Sequence, residues 1–394
     1  MLVSQIMSKP QEMLEKAAKL SPQIITLRRQ IHAEPELSFA ETKTALLAKE
    51  HLEKLGFTVR TGIAKTGLIA DLGTGKTVAI RSDMDALPGF ESNRTSYVSK
   101  HPGTMHACGH DAHIAIVLAA AQLVAELKPS GRLRIILQPG TEEADRDGNQ
   151  SANLLIEAGA LTDVCALLGL HVDATIETGR AGIIATQLSC QVSLFRINIS
   201  AGQQNGKTQD ALPKANGIMT GIYKLGTEFA NRGNAAISLG SCISSSQRGN
   251  ISSQQVILSG TISSTTAEAQ AEAVQQIEKL ISKENSDDLT IALEFDQFDS
   301  TAAQSAGIIE TLRAAAVDLL GESNVLSINR KTWASDFSLL ASAAPAAFVY
   351  LGAQISGSRR IHHQPSFDLD ESGLHLGAAI LALTALRLME VDGE

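Results

Sequence analysis

The stretch 104-TMHACGHDAHIAIVLAAAQLVAELKPSGRLRIILQPGTEE-143 decides how this chain is read. A histidine-rich loop runs into an apolar helical segment, Ile114 to Leu127, and then into a β-rich run, Arg132–Leu137, followed by Glu142 and Glu143. The same alternation extends to either side, with β-rich runs at Gly67–Leu72, Thr77–Arg81 and Ala166–Leu170. Strands alternating with helices predict an α/β fold built on a parallel sheet with helices on its faces, and the apolar content of the runs predicts burial on both sides. The apolar run Ile114–Val124 is too short to span a bilayer and reads as a buried helix.

Upstream, Ser21-Pro22 reads as the cap and first residue of a helix through His32, and Glu41 to Leu55 is amphipathic and closed by Gly56. Near Gly179 the character changes. Ser189–Ser200 alternates, Ser, Gln, Asn and Gly become frequent, and Val256–Ile262 and Leu289–Phe295 read as strands around two helical stretches. Ala306–Leu320, a buried-looking strand Ala347–Leu351 and Glu371–Met389 then return to the first pattern. The expectation is a discontinuous main domain, 1–188 and 301–394, interrupted by an inserted α+β domain at 189–300.

The chain has 394 residues, beyond the size at which one core usually stops growing. Its 44% hydrophobic and 19% charged residues are those of an ordinary soluble protein. A net charge of −9 with no basic run excludes a nucleic-acid footprint. Cys108, Cys165, Cys190 and Cys242 show no disulfide framework, and MLVSQIMSKPQEML is not a secretory signal, so a reduced, cytoplasmic protein without a membrane partner is expected.

The polar clusters fall where such a fold does its chemistry. Asp83 and Asp85 follow one predicted strand, Glu142 and Glu143 another, His171 closes a third, and Cys108 and His110 precede the long helix. Loops at the carboxyl ends of the strands of an open α/β sheet converge on one crevice. Imidazole and thiolate suit zinc and its transition-metal neighbours, and carboxylates extend the choice toward manganese. A hydrolytic metal site needs one carboxylate as ligand and another, free of metal, to move a proton, and adjacent glutamates can divide those tasks.

The segments 32-HAEPELSFAET-42, 81-RSDMDALP-88, 104-TMHACGHDAH-113, 138-QPGTEE-143, 169-GLHV-172 and 362-HHQPSFDLDES-372 together resemble the di-metal amidohydrolases that include aminoacylase-like enzymes, hippurate hydrolase, plant auxin-conjugate hydrolases and aminobenzoyl-glutamate hydrolase. The resemblance implies a zinc-peptidase-like catalytic domain with a mixed, mostly parallel sheet, an inserted lid domain that commonly forms homodimers, and a small-molecule substrate. It implies two divalent metal ions (Zn, Mn, Co or Ni) held by Cys108, His110, Glu143, His171 and His363, the last chosen because it stands four residues before Phe367. Glu142 would be the general base, and Asp85 would orient the ligands. Asn250 would contact substrate.

The chain also departs from that pattern. Its Gln138–Glu143 loop is one residue longer, which leaves the roles of Glu142 and Glu143 interchangeable on sequence grounds. Residues 181–300 contain no histidine, Ser263 stands where the lid carries an arginine, and Ala334-Ser335-Asp336-Phe337 replaces a Ser-Glu-Asp-Phe segment. Loss of the arginine removes bidentate recognition of a substrate carboxylate. The leading expectation is a metal-dependent amidohydrolase. The alternatives are a metal-binding module with altered catalysis and an aminohydrolase releasing ammonia from an aromatic amine.

Overall fold

The computed structural model describes residues 10–184, 188–189, 191–201, 203–204, 207–208, 210–246, 251–264, 266–284, 289–298, 301–302, 305–328 and 337–390. The chain divides into two compact units. One is Met1–Gln187 with Ala303–Asn329 and Leu339–Glu394, and the other is Leu188–Ala302 with Arg330–Ser338.

The larger unit is built on an eight-stranded sheet in the order Thr58–Ile63, Gly67–Gly73, Arg132–Gln138, Thr77–Asp83, Val164–Glu177, Ala346–Gln354, Ala181–Ile184, Val325–Ile328. Thr77–Asp83 runs parallel to both of its neighbours, and Val164–Glu177 is parallel to Ala346–Gln354 as well. The sheet is therefore mixed and mostly parallel. Every residue of Thr77–Asp83 is buried, which requires cover on both faces of the sheet. Helices Pro10–Ala33 and Leu374–Glu390 pack on His110–Leu127, and a single core runs through these helices and the strands.

Register sets up the crevice. Asp83 stands opposite Gln138, and Arg81 stands opposite Gly169, so that two residues further along Asp83 and His171 share a row at the carboxyl ends of parallel strands. The chain continues from Gln138 into Pro139-Gly140-Thr141-Glu142, and His110 opens the helix that follows the Cys108 loop.

The smaller unit has a four-stranded antiparallel sheet, in the order Ala235–Ser244, Gln255–Ser264, Gln191–Ala201, Leu289–Phe298, with helices Leu212–Arg232 and Ala267–Glu284. Gln255–Ser264 buries alternate residues, and Leu212–Arg232 buries Ala215, Ile218, Ile222 and Phe229 on one helical face. These residues join Phe195, Ile197 and Ile277 in a separate core.

Two expected features differ. The first helix begins at Pro10 rather than at Ser21, and Pro22 lies inside it. Met13, Ala17, Ile24, Arg28 and Ile31 keep helical spacing on a buried face across the proline, and that burial offsets the roughly 3 kcal/mol a mid-helix proline costs. His171 lies within a strand rather than at its end, because Val164–Glu177 continues along its partner strand, with Tyr350 opposite His171.

The start of His110–Leu127 depends on Gly109. Its φ is +94°, and a Cβ there would stand 2.4 Å from Cγ2 of Val172. Gly109→Ala is expected to destabilise the larger unit by more than the about 1–2 kcal/mol of a left-handed non-glycine residue alone. Chemical denaturation followed by circular dichroism reads this as a lower midpoint, and an unchanged midpoint would mean that the loop relaxes around the added methyl group.

Candidate metal centre

Cys108 lies at the middle of the crevice. Its Sγ is 3.4 Å from Nε2 of His171 and 3.2 Å from Nε2 of His363. The donor atoms of Cys108, His110 and His171 all lie within 4.8 Å of one another, and so do those of Cys108, Glu142 and His363. The two groups share the sulfur.

Each imidazole is held so that a chosen nitrogen faces inward. Nδ1 of His110 lies 2.8 Å from the carbonyl oxygen of Asp85, and Nδ1 of His171 lies 2.6 Å from that of Val172. Each Nδ1 therefore donates to a carbonyl, which leaves Nε2 as the atom that could ligate a metal. His113 behaves differently. Its Nδ1 meets Oδ1 of Asp83 at 2.5 Å, and its Nε2 accepts from the backbone N–H of Val172 at 2.9 Å. Although Asp83, His110 and His113 form a third group of candidate donors, both nitrogens of His113 are already engaged. It braces the strand carrying His171.

The same accounting separates the adjacent histidines. His362 directs Nδ1 to the Cys108 carbonyl oxygen at 3.2 Å and accepts the Ala174 N–H at Nε2, 3.4 Å away. His363, whose backbone N–H donates to the Ala107 carbonyl at 2.8 Å, is the one that reaches the sulfur.

Glu142 places Oε1 3.5 Å from Nε2 of His110 and 3.6 Å from Nε2 of His363, with its side chain 18% exposed. Glu143 is exposed and belongs to none of the three donor groups. Asp85 is fully buried and fastens this loop. It accepts from Thr141 Oγ1 at 2.7 Å, from the Glu142 N–H at 2.9 Å and from Ser38 Oγ at 2.7 Å. Burial opposes its ionisation, yet these donors and His110 hold its pKa below the ordinary carboxylate value.

Burial and the nearby Glu142 carboxylate push the Cys108 thiol up, whereas burial together with His113 and His362 drives His171 far below the ordinary histidine value, so its imidazole is neutral. At His110 burial opposes protonation, but Asp83 and Cys108 overcome it and raise its pKa, so an ion that binds Nε2 displaces a proton. A thiol and three imidazoles, with the Glu142 carboxylate beside them, are donors that would suit divalent transition-metal ions.

The segment 32-HAEPELSFAET-42 shows no tasks for its residues in sequence alone. Here Ser38 holds Asp85, and Glu41 accepts the Gly140 N–H at 2.8 Å and the Thr66 hydroxyl at 2.5 Å. His113 and Asp83 were likewise left without roles, and their signal was the spacing of His110 and His113 on one helical face. Asn250 lies outside the described residues, as do Ala334, Ser335 and Asp336. Ser263 sits in the antiparallel sheet of the smaller unit, paired with Val192 and Ala236.

Residues 79–387 match the model of the peptidase family M20/M25/M40. An IAA-amino acid hydrolase of Arabidopsis thaliana, ILR1-like 6, is 30% identical over 92% of this chain and 79% of its own length. An N-acetyl-L-cysteine deacetylase of Bacillus subtilis is 29% identical over 95% of this chain and 90% of its own. Among solved structures, a dinuclear metal binding peptidase of the M20 family from Bacillus subtilis superposes with a TM-score of 0.69 at 27% identity, covering 95% of this chain and 99% of that one. The chain belongs to the peptidase family M20/M25/M40 and is a metal-dependent hydrolase of amide bonds.

Proposed function

We propose that this protein cleaves the amide bond of small N-acyl amino acid, peptide-like or aryl-amide substrates, with two divalent metal ions held by Cys108, His110, His171 and His363. The observation that carries the proposal is that the donor atom of Cys108 lies within 4.8 Å of those of His110 and His171 in one group and of His363 in another, with Glu142 completing the second group as the carboxylate that handles the proton rather than as a ligand. The named activities of the Arabidopsis and Bacillus relatives support the substrate class. The donor set accommodates zinc, manganese, cobalt or nickel. The smaller unit is proposed as the lid and homodimerisation domain, and the cytoplasm as the location.

When bound, divalent ions at such a site act as Lewis acids toward the amide carbonyl and the attacking water. The protein supplies the proton handling and the geometry. Glu142 takes a proton from water at its Oε atoms and delivers it to the departing amine nitrogen, as its solvent-accessible position among the histidines permits. Asp85 keeps Glu142 in place through the backbone N–H, and His113 keeps His171 in place through Val172. The proposal leaves Glu143 outside the donor set because its side chain is exposed.

Cys108→Ala and His171→Ala each remove a donor and are expected to lower metal content per chain, measured by elemental analysis on folded protein. Wild-type metal content in both variants would contradict the site. Glu142→Gln keeps the shape of the side chain and is expected to slow turnover roughly 10²–10⁴-fold with metal retained. Glu143→Gln is expected to leave both near wild type. If instead Glu142→Gln loses metal while Glu143→Gln keeps metal and loses turnover, the two roles are exchanged. Turnover unchanged in both variants would sink the mechanism.

With Ser263 in place of an arginine, substrates with a free α-carboxylate are expected to gain little over their uncharged amides in kcat/KM. A strong preference for the free acid would show that another cation recognises it.

A further inference from the structure

Beside the donor cluster lies a buried charged network for which the proposed mechanism has no use. Its hub is Arg28, on helix Pro10–Ala33, whose side chain is 0% exposed. Nε donates to Oδ2 of Asp111 at 2.8 Å, Nη2 to Oδ1 of Asp368 at 3.1 Å and Nη1 to Oε1 of Glu371 at 3.0 Å. The acceptors lie on two segments that are far apart in sequence. Asp111 directly follows His110 at the start of its helix. Asp368 follows Phe367, whose N–H closes a turn on Gln364 beside His363, and Asn93 holds the Phe367 carbonyl at 2.6 Å.

We propose that Arg28 is a positioning residue for the metal centre. Its guanidinium fixes the His110 helix start and the His363 loop at the separation in which both face Cys108, and so sets the affinity for metal. This rests on the metal-centre reading given above. A planar guanidinium presents donors in several fixed directions at once, which one ammonium group cannot do. His32, one turn along the same helix, strengthens the arrangement by placing Nδ1 2.7 Å from Oδ2 of Asp111 and Nε2 3.2 Å from Oε1 of Glu91.

A role confined to fold stability is the competing account, and Arg134 provides its control. Arg134 is also buried. It pairs with Asp71 at 2.8 and 3.0 Å and donates to the carbonyls of Ala160 and Thr162, none of which borders the donor cluster. Arg28→Lys and Arg134→Lys therefore both weaken a buried arginine fork, but only the first touches the donor segments.

The test titrates Co²⁺ into chelator-stripped full-length protein and follows the thiolate-to-cobalt absorption. Arg28→Lys is expected to raise the Kd for Co²⁺ roughly 10–100-fold, with Arg134→Lys within about threefold of wild type, while both variants melt lower without metal. Wild-type affinity in Arg28→Lys, or equal weakening in Arg134→Lys, would overturn the proposal and return Arg28 to fold stability. If Arg28→Lys does not fold, Asp368→Asn, which removes one arm and leaves the Arg28–Asp111 pair, carries the same expectation, and unchanged affinity there overturns it. Failure of the wild-type protein to bind Co²⁺ at all would instead strike the metal-centre reading itself.

Discussion

A buried imidazole must have both ring nitrogens accounted for, and the geometry of the centre follows from how this fold meets that demand. An unsatisfied buried polar group costs about 1–3 kcal/mol, so each nitrogen that the protein engages is fixed and each that it leaves inward-facing is committed to something else. Backbone carbonyls take Nδ1 of His110 and of His171, while His113 and His362 have both nitrogens bound by the protein. The division into histidines that face the sulfur and histidines that brace the chain is thus a consequence of hydrogen bonding. His106, fully buried with no hydrogen-bond partner at either nitrogen among the described residues, is the exception: burial lowers its pKa to about 3 and keeps it neutral, so it bears the cost of unpaired ring nitrogens but not that of a buried charge.

The carboxylates obey a matching rule. Buried Asp83 faces Arg81, His110 and His113, and buried Asp111 faces Arg28 and His32. Charges this far from water persist only when paired, so the pairs knit together the strand ends, the helix start and the loops that carry the donors. Stability and site geometry therefore rest on the same contacts.

Much of this was legible in the sequence because the central strands carry short apolar stretches, Val78–Ile80 and Ile135–Leu137, that stand out despite the polar residues beside them. Thr77–Asp83 and Arg132–Gln138 bury almost every residue, and hydrophobicity marks them directly. Thr58–Ile63 was missed because it is an edge strand with mostly exposed residues and lacks an apolar run. Ala181–Ile184 and Val325–Ile328 are too short to announce themselves, and their pairing with each other, together with that of Ala181–Ile184 with Ala346–Gln354, makes them strands. The end of Val164–Glu177 was misjudged for a related reason. The polar side chains of His171 and Asp173 end the apolar pattern, yet the backbone ladder continues beside Tyr350 and Gly352. Residue type records what a position faces, whereas pairing records where its neighbours are.

The paired glutamates show where counting along a motif loses its grip. The loop after Gln138 is one residue longer than the pattern it resembles, and the extra length has to go somewhere. Gly140 adopts φ +55°, with the Phe39 ring 2.4 Å from where its Cβ would be, and its N–H is held by Glu41. Thr141 then turns its hydroxyl to Oδ1 of Asp85, and the next N–H, that of Glu142, reaches Oδ2 of the same carboxylate. Fixed at Gly140 and at Asp85, the loop has no slack left before Glu142, which is therefore the glutamate delivered to His110 and His363, while Glu143 turns out to solvent. A local insertion is thus resolved by two anchors far away in sequence, Glu41 and Asp85, which makes the choice between neighbouring carboxylates a property of the folded chain.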